Sequence, residues 1–598
     1  MAASHPIRWD LASLGHDPDG DADAFADDLA GLKADLERSA ETVSGLPQIA
    51  ADGEAADEWS SFLRDYADVT ARYRQTYSLV GCYAAGDAGN AAYQKAEGRL
   101  AALRPLAEAV ASAIETAVRD VPDKTLAAFL SGDAYLNEVA FLLTDAKSLA
   151  ALRLPPAEES LANELAVDGL HAWGRLYDRV SGELQVEVMT ADGPAKKSVG
   201  QVTWTGPERT VREQNFYAAD RAWASVGQTC ADCLNHISGA RLTRYGRLGF
   251  DHLEEPLRRN RIGRETLDAL HGTVADKTDV LVPYLKRKAE LLGVDRLAWY
   301  DQSAPLPTSG RPRPKLSYED ACDKILNAFG RFAPDFADFA AHALKSGWIE
   351  AEDREGKRQG GFCTDLPVAG QTRIFMTFTD DDDSMSTLAH ELGHAYHTWL
   401  LKDRPVFLQD YPMNLAETAS TFAEQVLADA RLDAADDAEE AVILDGMLSD
   451  ATAFLMNLPA RFRFEDAVYR ERADGELAAE RLSELMVAAQ KAAYAESLDV
   501  WHPRFWAAKL HFYITELPFY NFPYTFGYLL SLAAYDDAGG GSDFPARYRA
   551  FLERSGSDTA ETAVRETLGY DAASSELWGR AIDVVARRVD RFLTLTGP

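Results

Sequence analysis

A chain of 598 residues that is 46% hydrophobic and 26% charged can bury more than one core, which separates it from disordered proteins and predicts two or more domains. Asp and Glu outnumber Lys and Arg by 95 to 61, and the resulting net charge of −34 argues against nucleic acid and anionic membranes as partners, because like charges repel. Five Cys are too few for a disulfide framework in a chain this long and fit reduced thiols.

The N-terminal stretch "MAASHPIRWDLASLGHDPDGDADAFADDLA" is acidic and lacks the basic and apolar regions of a signal peptide. With no run of 18 apolar residues along the chain, a cytoplasmic protein is expected. Residues 22 to 180 alternate Ala- and Leu-rich stretches with acidic or Pro breaks, as in "LAALRPLAEAVASAIETAV", and predict a helical array. The pattern then changes. "LQVEVMTADGPAKKSVGQVTW" holds two alternating, β-branched segments around a turn containing Asp-Gly, the mark of a hairpin. This places a domain junction near residue 200, with an N-terminal helical domain over 1–200 that ends in the hairpin and a catalytic domain over 201–598.

Helical spacing returns over 207–295 and 317–347. Cys230 and Cys233 form a CxxC within "TCADCLNHISGARL", but no second Cys pair completes a zinc ribbon and the segment reads as helix, so packing is the expected role. A second β reading follows at "GGFCTDLPVAGQTRIFMTF", residues 360 to 378. In it "TRIFMTF" is expected to be an edge strand along which an extended substrate lays its backbone, with Gly360 and Gly361 allowing close approach. The acidic "TDDDDSMS" reads as the start of a helix capped by Asp383 or Ser384, rather than as a calcium loop.

That helix carries "TLAHELGHAYH", with His390-Glu391-x-x-His394 at its centre. At 100° per residue, Leu388, Leu392, Ala395 and Trp399 form one stripe and His390, His394 and His397 face the other way. Imidazoles four residues apart lie about 6 Å apart along the axis, within reach of one Zn²⁺. Glu391 sits beside that face, where it can take a proton from water instead of binding the metal. Ligands at relative positions 0, 4 and 7 of an unbroken helix span about 10 Å, too far to converge, so His397 is expected to be structural or to support a ligand.

The third ligand is expected on the next helix, "NLAETASTFAEQVLADAR", whose wheel puts Glu417, Ser420, Thr421 and Glu424 on one face. Glu417 is the candidate ligand, and Glu424 is placed to orient a liganding His. Two His, one carboxylate and an open position describe a catalytic zinc site with one Zn²⁺ per chain. Donors for an oxyanion are sought in "WAAKLHFYITELPFYNFPYTFGYLL", where His511, Tyr513, Tyr520, Tyr524 and Tyr528 lie among breaks at Pro518 and Pro523. Buried phenols with a packing role read the same way. After this segment "YDDAGGGSD" is expected to be a mobile loop.

Taken together, "TLAHELGHAYH", "AETASTFAE" and "HFYITELPFYNFPYTFGYLL", with a weaker match at "YDQSAPLP", resemble the oligoendopeptidase F family within the thimet-oligopeptidase-like zinc peptidases. The resemblance covers roughly the last two thirds of the chain. It implies His390, His394 and Glu417 as zinc ligands and Glu391 as general base. It also implies a mainly α, two-lobed metallopeptidase with a small β-sheet next to the HExxH helix and a deep internal substrate channel that admits short peptides. His511 best matches the family's substrate-facing His, while Tyr520 and Tyr524 compete for one Tyr role, because "FYITELPFYNFP" is longer than the Gly-rich loop of the animal members. The expected function is hydrolysis of internal bonds of short unfolded peptides. A related helical zinc carboxypeptidase and a non-catalytic peptide-binding protein are the alternatives, and the oligomeric state stays open.

Overall fold

The computed structural model describes residues 5–51, 53–190, 193–307, 315–538 and 543–597. Its order is mainly helical, with five short strands in two sheets. Contacts gather the chain into two packing units, each assembled from segments distant in sequence.

The first unit takes Met1–Leu152, Pro314–Ala430 and Asp537–Tyr570. Its N-terminal part is the expected helical array. The helix Ala22–Gly45 buries Phe25, Leu29, Leu32, Leu36 and Val43, a spacing of three, four or seven that keeps one stripe facing inward. That stripe joins Trp59, Phe62, Leu63 and residues as far on as Ala146 in one apolar core. A three-stranded sheet, β3 (Ile349–Glu350), β4 (Phe362–Leu366) and β5 (Gln371–Phe375), lies in order β3-β5-β4. β5 pairs parallel with β3 and antiparallel with β4, with Cys363 opposite Ile374. The sheet packs on the helix Ala56–Gly86, where Leu366 meets Leu79 and Cys82, and on the helix Asp382–Leu401.

The second unit takes Arg153–Arg313, Arg431–Asp536 and Asp571–Pro598. The hairpin is present as β1 (Gln185–Thr190) antiparallel to β2 (Gly193–Ser198), while its turn at 191–192 lies outside the described residues. Val186 and Val188 pack on Ala218 and Ala219 of the long helix Arg209–Leu248. That helix ends at Gly249, whose φ of +73 is the left-handed conformation that glycine adopts without strain. Cys230 and Cys233 are buried on the same helix as free thiols, and burial pushes them up to about 12 and about 11, so neither is reactive near neutral pH. Among the described residues one helical run, Asp437–Arg472, is long and apolar enough by length and composition to cross a membrane, at a mean hydropathy of 1.3, although it holds no unbroken run of 18 apolar residues. Half of that window is buried within the protein, as in a core helix.

These units divide the chain differently from the sequential split at residue 200, because segments far apart in sequence close each core. The extent of a catalytic domain over 201–598 therefore stays a proposal. The expected loop "YDDAGGGSD" falls partly on residues 539–542, outside the described residues.

Candidate metal centre

The helix Asp382–Leu401 starts one residue before the expected cap. Asp381, extended at φ −136 and ψ 170, accepts from the Ser384 backbone N–H at 2.8 Å. Asp382 and Asp383 then fall in the first turn, against the positive end of the helix. Ser384 does something else: its hydroxyl accepts from the Thr379 N–H at 3.0 Å, tying down the chain that leaves the sheet. Leu388, Ala389, Leu392 and Ala395 are fully buried and fix which face His390 and His394 present.

A glycine sets how closely the next helix approaches. A Cβ built at Gly393 would lie 2.7 Å from the Ala419 carbonyl oxygen and 2.9 Å from both Ser420 Cα and Ala423 Cβ. The helices Asp382–Leu401 and Met413–Leu432 thus touch almost backbone to backbone, which no side chain at 393 would permit. Sequence reasoning passed over Gly393. The signal was present, since its partners Ala419, Ser420 and Ala423 are small residues at helical spacing.

This crossing brings Glu417 to the imidazoles. Glu417 Oε2 lies 3.7 Å from His390 Nε2 and 4.0 Å from His394 Nε2, and the three ligand atoms fall within 4.8 Å of one another. Donors on a tetrahedral ion with bonds of about 2.0–2.2 Å would stand roughly 3.4 Å apart, so a small inward shift completes the set. Ser420 Oγ donates to Glu417 Oε2 at 3.2 Å. Behind His390, Nδ1 donates to Glu424 Oε1 at 2.6 Å, which turns the Nε2 lone pair toward Glu417. Glu391 is buried beside them and its Oε2 has no hydrogen-bond partner. Gly361 explains how that carboxylate fits: a Cβ there would lie 3.3 Å from Glu391 Oε1.

The electrostatics fit a cation. Burial alone would strip His390 of its proton, yet the Glu424 hydrogen bond and charge, with Glu391 and Glu417 nearby, raise it to about 9. Burial raises Glu391 to about 7 and pushes Glu417 up as well, whereas buried His394 is driven well below the usual imidazole range. Three carboxylates around two imidazoles make a place that favours added positive charge. Glu424→Ala should weaken metal binding about 10–100-fold with all three candidate ligands intact, measured by competition with a chromogenic chelator. Unchanged affinity would remove Glu424 from that role.

The other expected residues divide. His397 is fully buried, stacks on Tyr411 at 3.8 Å and meets Ser555 Oγ through Nε2 at 2.6 Å, a packing position outside the ligand trio. The edge-strand expectation for "TRIFMTF" is overturned: β5 is the central strand, paired on both sides, so its backbone groups are taken up within the sheet. β4 is an edge, and Gly361 immediately precedes it, while Gly360 has a left-handed φ of +96 and open space around its Cα.

His511, Tyr520 and Tyr524 belong to the second unit and cluster there. The His511 and Tyr520 rings are 5.0 Å apart, and the Tyr520 and Tyr524 hydroxyls 3.5 Å. Tyr513 and Tyr528 instead stack within the core, on Tyr177 at 3.6 Å and on Phe454 at 4.4 Å. Asn521, which sequence reasoning missed, holds His511 in place. Its Oδ1 accepts from Arg461 Nη1 at 3.1 Å, and this oxygen and Arg461 Nη1 lie 2.7 Å and 3.2 Å from His511 Nδ1. Burial lowers His511 to about 4, so the ring is neutral at neutral pH.

Comparison with known proteins gives the family and the fold. The sequence model of Peptidase family M3 matches residues 204–583, and that of Oligopeptidase F matches 119–185. An oligoendopeptidase F homolog of Lactococcus lactis is 26% identical over 343 residues, 56% of this chain and 55% of that protein. The chain thus spans about half the length of this curated relative. The fold superposes on a solved structure from Chlamydophila abortus with a TM-score of 0.81 at 21% identity, covering 99% of both chains. It also superposes on oligoendopeptidase-F from Enterococcus faecium with a TM-score of 0.70 at 19% identity, covering 96% of this chain and 98% of that one.

Proposed function

Since the chain belongs to peptidase family M3, whose match takes in more than half of it, we propose that it is a zinc-dependent oligoendopeptidase that hydrolyses internal bonds of short unfolded peptides. The observation that carries this reading is the convergence of His390 Nε2, His394 Nε2 and Glu417 Oε2 from two helices, with the unpartnered Glu391 oxygen beside them. Two imidazoles and one carboxylate suit zinc better than magnesium or calcium, which take oxygen-rich sets. Held by those three residues, Zn²⁺ would acidify a water and polarise a peptide carbonyl.

The rest falls to the chain itself. Glu391 takes the proton of the attacking water on Oε2 and returns it to the leaving amine nitrogen, a task suited to a carboxyl that burial has raised to about 7. Glu424 keeps His390 in the tautomer that offers Nε2. Gly360 and Gly361 permit an extended substrate backbone to approach the β4 edge. Substrate-facing roles for His511, Tyr520 and Tyr524 rest on the family resemblance. A limit on peptide length and a cytoplasmic setting belong to the same proposal.

Metal analysis of the purified protein, followed by digestion of a mixed library of short peptides read by mass spectrometry, tests it. One zinc per chain and cuts at internal bonds are expected. Release of single C-terminal residues alone would move the reading to a carboxypeptidase, and absence of both zinc and cleavage would leave a peptide-binding protein.

A further inference from the structure

Several buried cations in this chain sit against carboxylates, whereas Arg373 and Arg241 are held by neutral oxygens. Lys288 lies 3.0 Å from Asp445, Arg212 lies 2.9 Å from Asp301 and Lys357 lies 3.4 Å from Glu350. With a net charge of −34 acids are plentiful, and leaving a buried charge uncompensated is unfavourable. Arg461 and Lys509, both in the second unit and partly buried, sit close to each other without a carboxylate partner among the described residues.

Arg461 meets only neutral groups, donating from Nε to Asn457 Oδ1 at 2.8 Å and from Nη1 to Asn521 Oδ1 at 3.1 Å, with His511 Nδ1 3.2 Å from the same Nη1. Lys509 has no hydrogen-bond or ion-pair partner among the described residues. The two cations share one aromatic neighbour, each 5.2 Å from the centroid of Phe505. Beside them Asn521, only 1% exposed, has an Nδ2 donor with no acceptor. The cost of this arrangement is visible in the acidities. Burial lowers Arg461 to about 10, and burial, then the Arg461 charge, lowers Lys509 to about 8. A guanidinium and an ammonium beside one ring, with a buried amide N–H that has no acceptor next to the guanidinium, make a place that favours an anion.

We propose that Arg461, Lys509 and Asn521 Nδ2 form a receptor for a carboxylate, and, resting on the oligopeptidase reading above, that the carboxylate is carried by the peptide substrate. The planar guanidinium fork matches a carboxylate in shape, and the ammonium adds a second charge. The carboxylate comes either from the peptide C-terminus or from an Asp or Glu side chain.

Binding separates these sources without turnover. Fluorescence anisotropy would follow labelled peptides titrated into the full-length, zinc-loaded Glu391→Gln protein. One pair of peptides differs only in a free C-terminal carboxylate against a C-terminal amide, the other only in Glu against Gln within the sequence. At least about tenfold tighter binding of the acid form is expected in one pair, as for charge-assisted hydrogen bonds, and that pair names the source. In Lys509→Gln the preference should fall to within about twofold, while Lys509→Arg should keep it. Should the Gln variant not fold, the peptide pairs on the parent protein decide alone. Equal affinities in both pairs, or no binding of any peptide, overturn the receptor. Cleavage by the native enzyme without acid preference would sink this inference and leave the hydrolase reading, and acid preference without cleavage would do the reverse.

Discussion

Glu391→Gln should keep full metal occupancy and lose cleavage of a quenched-fluorescent peptide by roughly 10²–10⁴-fold, the range of a positioned general base. The substitution preserves shape in a place where shape matters, because a Cβ at Gly361 would lie 3.3 Å from the carboxylate. It removes the basic oxygen and leaves the ligand trio untouched, since Glu391 is not among the three converging atoms. Metal content should therefore stay at one equivalent while turnover falls. Turnover near the native rate would take proton transfer away from Glu391, and loss of metal would mean that it binds the ion.

The second large effect is loss of the metal by two independent routes. Glu417→Ala deletes a ligand atom, so its cost should exceed the roughly 10–100-fold of a residue that only supports a ligand. Gly393→Val deletes no ligand. Its Cβ would fall 2.7 Å from a backbone carbonyl oxygen, which cannot turn aside as a side chain would, and overpacking of this kind costs about 1–3 kcal/mol. The two helices must part, and Glu417 moves away from His390 and His394. Reduced zinc content with retained far-ultraviolet helicity is expected, and Gly393→Ala should show a smaller loss of the same kind. Full occupancy in Glu417→Ala would pass the ligand role to Glu424. Full occupancy in Gly393→Val would mean that the crossing has slack which the distances do not suggest.

What could be read early was whatever a helix or strand encodes along its own length. The apolar back of the HExxH helix, the carboxylate face of the following helix and the two arms of the hairpin all follow from side-chain periodicity, which depends on neighbours three, four or two residues away. The pairing of Glu424 with His390 was legible for the same reason, as a carboxylate two turns beyond a candidate ligand on the same face. The cap of the HExxH helix lies two residues before Asp383, the nearer of the two expected, because several Asp residues in a row can each cap and the extended backbone selects Asp381.

Other features belong to long-range packing. "TRIFMTF" alternates as an edge or as a central strand would, and only the pairing of β3 and β4 on its two sides decides that it is central. That Tyr513 and Tyr528 are packing residues, stacked in the core on Tyr177 and Phe454, and that Asn521 lies against His511 Nδ1, is settled by partners from elsewhere in the fold or by the local turn. The small residues Ala419, Ser420 and Ala423 hint at a close crossing, but that it falls on Gly393, and that Arg461 and Lys509 meet no counter-charge, are properties of what lies across the fold. The sequence by itself determined the ligand types, their spacing and the faces that carry them, because these are local. Tertiary structure alone decided that they meet, because convergence on one ion needs two backbones held within contact, and the residue that permits this is the one with no side chain.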